Sequence, residues 1–176
     1  MNYRNLVNIV GFYLCWWICI YGAINEKYFL GISILSVYML LHFIFLTDSY
    51  IEYLYIFICF FLSFMSDSFF MYFNFISYKG YMPYNFNIIP FWTLTLWLCF
   101  SLSVFHSFSF LRRKYFYASI LGLISGPIIY YSISKAGLIE FLIKQSHILL
   151  IISIVWALFL PLYFLIADKL AENYVS

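Results

Sequence analysis

Hydrophobic residues fill most of the chain in long runs, and short polar segments separate one run from the next. A helix that crosses the apolar core of a bilayer needs about 20 such residues. Six runs approach or reach that length: Leu6–Ile24, Tyr28–Leu46, Ile51–Phe73, Pro90–Phe108, Tyr115–Ser134 and Ser146–Ala167. The pattern therefore predicts an all-α integral membrane protein, in which residues 1–176 form a single bundle of six transmembrane helices.

Composition strengthens this prediction and excludes several other classes of protein. Of the 176 residues, 66% are hydrophobic and 9% are charged, whereas a soluble domain is about half apolar and about a quarter charged. A net charge of +2 without a basic arm argues against a nucleic-acid partner. The longest predicted loop, Tyr78–Ile89, leaves no room for a soluble catalytic module.

The basic residues suggest an orientation in the membrane. Six spans would put five Lys and Arg residues on the side of the N-terminus and four on the other side. The cluster Arg112-Arg113-Lys114 directly adjoins two helix ends, and such clusters favour the cytoplasmic side. We therefore predict that both termini are cytoplasmic. The first run is longer than the apolar region of a signal peptide and lacks a cleavage site, so we interpret it as a retained helix.

The run FLSFMSDSFFMYF places one carboxylate, Asp67, among apolar residues. On a continuous helix Ser63, Asp67 and Asn74 would lie within about 40° of one another, and such a polar stripe should face the bundle interior. Asp67 would lie about 22 Å from Glu52 along the helix, in the outer third of the bilayer. With Trp92 at the same outer end, these residues form a candidate polar pocket. An equal alternative is that Asp67 has a structural role, as an acceptor of interhelical hydrogen bonds.

A second set of polar residues lies near the predicted cytoplasmic end: Asn8, His42, Ser103 and His106. Histidines near helix ends more often form interhelical hydrogen bonds than proton relays. The sequence has neither an H-E-x-x-H motif nor a Cys–His pair at ligand spacing. We therefore predict no metal ligand, no catalytic residue and no cofactor.

Four cysteines all fall inside predicted spans: Cys15, Cys19, Cys59 and Cys99. Cys15 and Cys19 are one helical turn apart and share a face, so they could in principle bind a metal. The favoured interpretation is that all four pack as small apolar residues.

The fifth and sixth runs contain packing and kink signals. A ladder of small residues one turn apart, which lets another helix approach closely, is formed by Ala118, Gly122 and Gly126. Pro127 and Pro161 each remove a backbone donor, so helices five and six are predicted to be kinked. The segment from Lys135 to Gln145 is a candidate interfacial helix.

Several stretches resemble a family of small proteobacterial inner-membrane proteins classed as a domain of unknown function. They are CWWICIYGA, IPFWTLTLWLCF, GLISGPIIYY and WALFLP, and the most specific elements are Pro-Phe-Trp, ending at Trp92, and Gly-Pro-x-x-Tyr, ending at Tyr130. The resemblance implies a location in the bacterial inner membrane and a lipid context. It implies no activity, so no residue inherits a catalytic role.

Three functions are compatible with these observations. The first is binding or transport of a small amphiphile or lipid through an internal polar pocket. The second is a scaffold or accessory subunit for membrane lipid-modifying enzymes, with those enzymes or a second copy of the chain as partners alongside the bilayer. A lipid-modifying enzyme ranks third, because Asp67 and the histidines are predicted in opposite leaflets, too far apart for one site.

Overall fold

A computed structural model describes residues 3–47, 49–80 and 89–175. Most of the predicted long loop, residues 81–88, lies outside this range. Within it, six helices follow the six apolar runs, and two short strands come after the third and fifth helices. In chain order the elements are α1 (Tyr3–Ile24), α2 (Phe29–Phe45), α3 (Ile51–Tyr72), β1 (Ile76–Tyr78), α4 (Phe91–Ser101), α5 (Tyr115–Lys135), β2 (Ile139–Phe141) and α6 (Gln145–Val175).

Four of the described helices are long and apolar enough to cross a membrane: α1, α3, α5 and the Gln145–Glu172 portion of α6. The helices α2 and α4 are apolar but shorter. Many large apolar side chains are exposed on the outer surface, among them Ile44, Phe57 and Phe116. A soluble protein rarely exposes so much contiguous apolar surface. The chain is therefore a helical membrane protein, while six crossings stay a prediction.

The helix α4 lies at the centre of the bundle, in contact with α1, α2 and α3. Seven of its eleven residues are buried, which explains why it has no distinct apolar face. It ends at Ser101, so the prediction of a continuous helix to Phe108 is wrong. Residues 102–108 form successive turns, and a short 3-10 helix, Ser109–Leu111, follows.

Side chains explain why α4 stops early. Asn8 of α1 donates from Nδ2 to the Leu102 carbonyl, at 3.0 Å. The Oδ1 atom of Asn8 accepts hydrogen bonds from the backbone N–H and the hydroxyl of Ser107. Ser103 donates its hydroxyl back to the Cys99 carbonyl, and such local bonds compete with regular helix. The break is therefore stabilised largely by a residue almost a hundred positions earlier.

The strands β1 and β2 pair in antiparallel register, with Ile76 opposite Phe141 and Tyr78 opposite Ile139. The segment from Lys135 to Gln145 is therefore a turn and a strand, and the candidate interfacial helix is not found. Gly137 has φ +78°, a left-handed conformation that ends helices and suits glycine. The chain thus turns directly after α5, and the following residues pair with β1.

The helices α5 and α6 form an extensive contact. A Cβ atom on Gly122 would lie 2.2 Å from the Trp156 carbonyl oxygen, so glycine is required for this close approach. Gly126 lies against the Trp156 side chain, and Ala118 of the same ladder is fully buried. Both Pro127 and Pro161 lie inside continuous helices. Kinks at these prolines stay predictions.

In α6, the Ala157 carbonyl lacks its usual helical donor and accepts a hydrogen bond from another helix instead. Pro161 lacks an N–H group and cannot bond the carbonyl of Ala157, four residues earlier. Ser119 of α5 donates its hydroxyl to that carbonyl at 2.7 Å. The hydrogen bond satisfies a polar group that would otherwise be costly in an apolar bundle.

The α6 helix continues beyond the predicted end at Ala167. Its extension forms hydrogen bonds with the segment between α4 and α5. Asp168 accepts a hydrogen bond from Arg112 Nε at 2.8 Å. It also accepts bonds from the Arg113 backbone N–H and from the Tyr115 hydroxyl. Two members of the basic cluster are thus held in place by a buried carboxylate.

Candidate functional site

Asp67 is fully buried in α3, where three donors from three other elements surround its carboxylate. Trp97 donates from Nε1 to Oδ2 at 2.7 Å. The hydroxyls of Tyr78, at 3.2 Å, and of Tyr130 both donate to Oδ1. These four residues are called the outer cluster below. A carboxylate with several donors can stay buried, because the hydrogen bonds replace those it would make with water.

Each donor of the outer cluster belongs to a different helix or strand. Tyr78 is the last residue of β1, Trp97 lies in the middle of α4, and Tyr130 follows Pro127 in α5. Burial, together with the neighbouring Asp67 carboxylate, raises the pKa of the Tyr78 phenol well above its usual range. This phenol therefore remains a proton donor at neutral pH.

The hydrogen bonds to Asp67 come from none of the other three residues of the predicted polar pocket, although Trp92 lines the same cavity. Ser63 is buried one turn before Asp67, and its Oγ lies 2.9 Å from the Tyr163 hydroxyl. Asn74 is exposed and has φ +54°, because α3 ends at Tyr72 and helical spacing no longer applies. Trp92 donates from Nε1 to the Lys79 carbonyl and does not bond Asp67. The predicted stripe of Ser63, Asp67 and Asn74 is thus wrong at Asn74.

A cavity of about 410 Å³ lies beside the outer cluster, and Asp67, Tyr78 and Tyr130 form part of its wall. The wall is otherwise mostly apolar and aromatic. Thr93 also lines the cavity, and its buried hydroxyl has no hydrogen-bond partner among the described residues. All five tryptophans of the chain line the same cavity: Trp16, Trp17, Trp92, Trp97 and Trp156.

The cavity reaches the molecular surface between α1 and α5. Its wall includes Tyr13 and Trp17 of α1, which are 55% and 65% exposed, and Leu121 of α5, which is 40% exposed. Exposed apolar side chains in membrane helices face lipid. A ligand could therefore enter from the side of the bundle.

A second buried carboxylate, Glu52, lies at the opposite end of α3. Its Oε2 atom is 3.3 Å from Nε2 of His42 and 3.2 Å from Nε2 of His106. The two imidazole rings are nearly perpendicular, with centroids 4.8 Å apart. These three residues are called the inner cluster below, and all three are buried.

The predicted second polar layer is only partly brought together. Asn8 Nδ2 lies 3.5 Å from His42 Nδ1, and Asn8 also donates to the Tyr38 hydroxyl. Ser103 is buried, and its hydroxyl donates to the Cys99 carbonyl instead of to a histidine side chain. Glu52 was not predicted as a member of this layer. Consecutive antiparallel helices would have placed it beside His42, since both flank the same short connection.

None of the three donors to Asp67 was predicted as its partner. A buried acid requires donors, and Tyr or Trp side chains are suitable ones. However, the chain contains 18 Tyr and 5 Trp residues, so residue type alone could not select the correct three.

The four cysteines are all buried. The Sγ atoms of Cys15 and Cys99 lie 2.8 Å apart between α1 and α4. Cys19 contacts the Trp92 carbonyl, at 3.3 Å. These contacts place three of the thiols at the junction between α1 and the central helix.

These features define a class: a helical membrane protein with an aromatic-lined cavity beside a buried carboxylate. The sequence model of DUF2878, described as a protein of unknown function, matches residues 5–162. The chain therefore belongs to this family, which confirms the resemblance to an uncharacterised family. The matched range contains every residue of both clusters. No curated protein and no solved structure matches the chain.

Proposed function

We propose that the protein binds a lipid or small amphiphile in the cavity beside the outer cluster. The observation that carries this proposal is the cavity itself, about 410 Å³ in volume with an apolar, aromatic wall and one buried carboxylate. Ligand sites commonly have volumes of about 300–1,000 Å³ and few, well-placed polar groups. The apolar chain of the ligand would lie among the tryptophans.

Two polar groups in the wall support a ligand with a hydrogen-bonding end. The Thr93 hydroxyl is buried without a partner among the described residues, and an unpaired buried hydroxyl is costly. Asp67 accepts three hydrogen bonds, whereas a carboxylate can accept about four. A hydroxyl group of an amphiphile could hydrogen-bond either group, which a plain hydrocarbon could not do.

The proposal includes a placement in the bacterial inner membrane with six crossings and both termini in the cytoplasm. The inner cluster and the basic Arg112-Arg113-Lys114 segment would then lie on the cytoplasmic side, and the outer cluster on the other. The opening between α1 and α5 would face acyl chains of the bilayer. A ligand could then enter without passing through water.

The two alternative functions have less support. An accessory role needs a surface for a partner, and the small-residue ladder does not supply it, because Gly122 and Gly126 already contact Trp156 of the same chain. Lipid-modifying enzymes or a second copy of the chain as partners therefore stay predictions that need another surface. A single catalytic site is disfavoured because Asp67 and Glu52 are about 22 Å apart along α3.

Photolabelling tests the proposal directly. The protein in lipid nanodiscs is irradiated with a hexadecanol analogue that carries a diazirine on its alkyl chain, and labelled peptides are mapped. We expect labelling within α4, where Leu96 and Trp97 line the cavity yet are shielded from bulk lipid. Labelling confined to exposed residues such as Leu123 would show that the probe stays in the bilayer, and would refute the proposal.

A pair of serine substitutions on α5 provides the control. Ser125→Phe fills part of the cavity, because Ser125 lines it. Ser132→Phe makes the same chemical change at an exposed position seven residues later on the same helix. Labelling of α4 should fall at least about tenfold in Ser125→Phe and stay unchanged in Ser132→Phe, as expected when a cavity that encloses the ligand is blocked.

A further inference from the structure

The inner cluster brings three side chains that bind metals to one point. His42 lies near the end of α2, Glu52 at the start of α3, and His106 in the turns after α4. Each histidine directs Nε2 toward the same carboxylate oxygen, at 3.3 Å and 3.2 Å. The three ligand atoms all lie within 4.8 Å of one another. Their convergence does not depend on the cavity or on the proposed lipid ligand.

These separations match those of ligands around one small cation. In zinc sites the metal lies about 2.0–2.2 Å from imidazole nitrogen and carboxylate oxygen, so two tetrahedral ligands are about 3.4 Å apart. The Nε2–Oε2 distances of the inner cluster are close to this value. Small movements of the side chains would therefore admit an ion between the three ligand atoms.

We propose that His42, Glu52 and His106 bind one divalent transition-metal ion of the zinc type. Two imidazoles and one carboxylate form the protein ligand set of many zinc and non-haem iron sites, which keep further coordination positions open. Magnesium and calcium prefer sites built from oxygen ligands, and this cluster supplies a single carboxylate. The site would lie at the end of the bundle that carries the basic Arg112-Arg113-Lys114 segment.

Asn8 must exchange some of its hydrogen bonds when an ion binds to His42. A metal on His42 Nε2 leaves the ring proton on Nδ1, and such a proton is normally donated to an oxygen. Asn8 now presents Nδ2 to this nitrogen at 3.5 Å. A half-turn of the Asn8 amide would present Oδ1 instead, and would break its bonds from Ser107. Metal binding should therefore be coupled to the turns that follow α4.

Metal titration of the full-length protein in detergent, after treatment with a chelator, tests the proposal. Zn²⁺ is expected to bind with one-to-one stoichiometry and to raise the melting temperature, since a ligand of the folded state stabilises it. Mg²⁺ at the same concentration should have no effect. His106→Gln and Glu52→Gln should each weaken Zn²⁺ binding at least about a hundredfold, because each removes one of three ligands.

The third histidine of the chain supplies the matched control. His147 is exposed in the first turn of α6, so His147→Gln should retain wild-type affinity. Equal affinities in His106→Gln and His147→Gln, or the absence of Zn²⁺ binding by the wild type, would overturn the proposal. The inner cluster would then be a hydrogen-bonded cluster only.

X-ray absorption of the zinc-loaded wild type gives an answer that needs no variant to fold. The expected spectrum shows two imidazoles and an oxygen shell without sulfur. Sulfur in the first shell would assign the metal to the buried cysteines and would overturn the proposal. Co²⁺ can replace Zn²⁺ as an optical probe, and its visible absorption then reports the coordination number.

Discussion

The two buried carboxylates of α3 differ in the chemistry of their partners. Asp67 accepts bonds from two phenols and an indole, whereas Glu52 meets two imidazoles. Phenol and indole groups do not lose their protons near neutral pH, so they act only as donors to Asp67. Imidazoles can donate, accept or bind a metal. One helix thus carries a fixed cluster at one end and a cluster that can change state at the other.

The two buried acids therefore differ in role: Asp67 belongs to a fixed cluster, whereas Glu52 belongs to a cluster that can change state. The donors of the outer cluster come from β1, α4 and α5, so Asp67 joins three elements that enclose the cavity. The inner cluster joins the ends of consecutive segments and is slightly open, with Glu52 and His106 each 7% exposed. The exposed fraction of Asp67, by contrast, is 0%.

The largest expected difference between the clusters is in stability. Asp67→Ala leaves three buried donors without an acceptor, and each unsatisfied group costs about 1–3 kcal/mol, so the free energy of unfolding should fall by at least about 3 kcal/mol. Glu52→Ala should cost roughly half as much, because it leaves two partners instead of three and one of them, His106, is 7% exposed. The free energies of unfolding of both variants are measured in mixed micelles containing SDS. An equal or larger loss for Glu52→Ala would contradict the comparison.

Removing a single donor from Asp67 should have an intermediate effect. Tyr130→Phe deletes one hydrogen bond to a buried carboxylate and should lower the free energy of unfolding by about 1.5–3 kcal/mol. The neighbouring Tyr131 is exposed, and Tyr131→Phe should stay within about 0.5 kcal/mol of the wild type. Similar effects for the two substitutions would mean that the Tyr130 hydroxyl does not bond Asp67.

A serine between the two clusters should matter less. Ser63→Ala removes the contact to the Tyr163 hydroxyl, with an expected loss of about 1 kcal/mol in unfolding free energy. Ser68 offers a control on the same helix, since its buried hydroxyl has no hydrogen-bond partner among the described residues. Ser68→Ala should be neutral or slightly stabilising, and a loss equal to that of Ser63→Ala would contradict this assignment.

The smallest expected effect is the energetic coupling between the clusters. Asp67 and Glu52 are separated by about 22 Å along the helix, and substitutions at such distances usually add to within about 0.5 kcal/mol. A double-mutant cycle with Asp67→Asn and Glu52→Gln, measured by unfolding in mixed micelles, should therefore show coupling below that value. Coupling well above it would mean that the two clusters share one conformational change.

The apolar runs predicted most helix limits well, because the membrane imposes a length and a composition on its helices. The predicted third span, Ile51–Phe73, differs from the observed α3 by one residue. The early end of α4 was not predictable from its local sequence, since it depends on Asn8 of another helix. The strands were also missed, because three-residue segments carry too few alternating positions to be recognised.

The candidate site was predicted as far as local spacing allows. Asp67, which the structure buries, was selected because an isolated acid in an apolar run is visible in sequence. Its partners were not, because they depend on how distant segments pack. Asn74 is not part of the stripe for a local reason, since α3 ends before it and its φ of +54° is not helical.

The pairing of β1 with β2 also constrains how the chain crosses a bilayer. Paired strands lie on the same side, so Tyr78 and Ile139 must share a side. The chain between them must therefore cross an even number of times. If α5 crosses once, residues 90–111 must supply the other crossing, although α4 has only eleven residues.

Eleven helical residues cover about 16 Å, roughly half of the apolar core. The turns after α4 must then provide the remaining depth, and irregular backbone is tolerated there only where surrounding protein shields it. Leu102, Ser103 and Val104, which follow α4 directly, are all buried. If α5 crosses the bilayer once, the pairing of two three-residue strands thus requires a second crossing made of α4 and the turns that follow it.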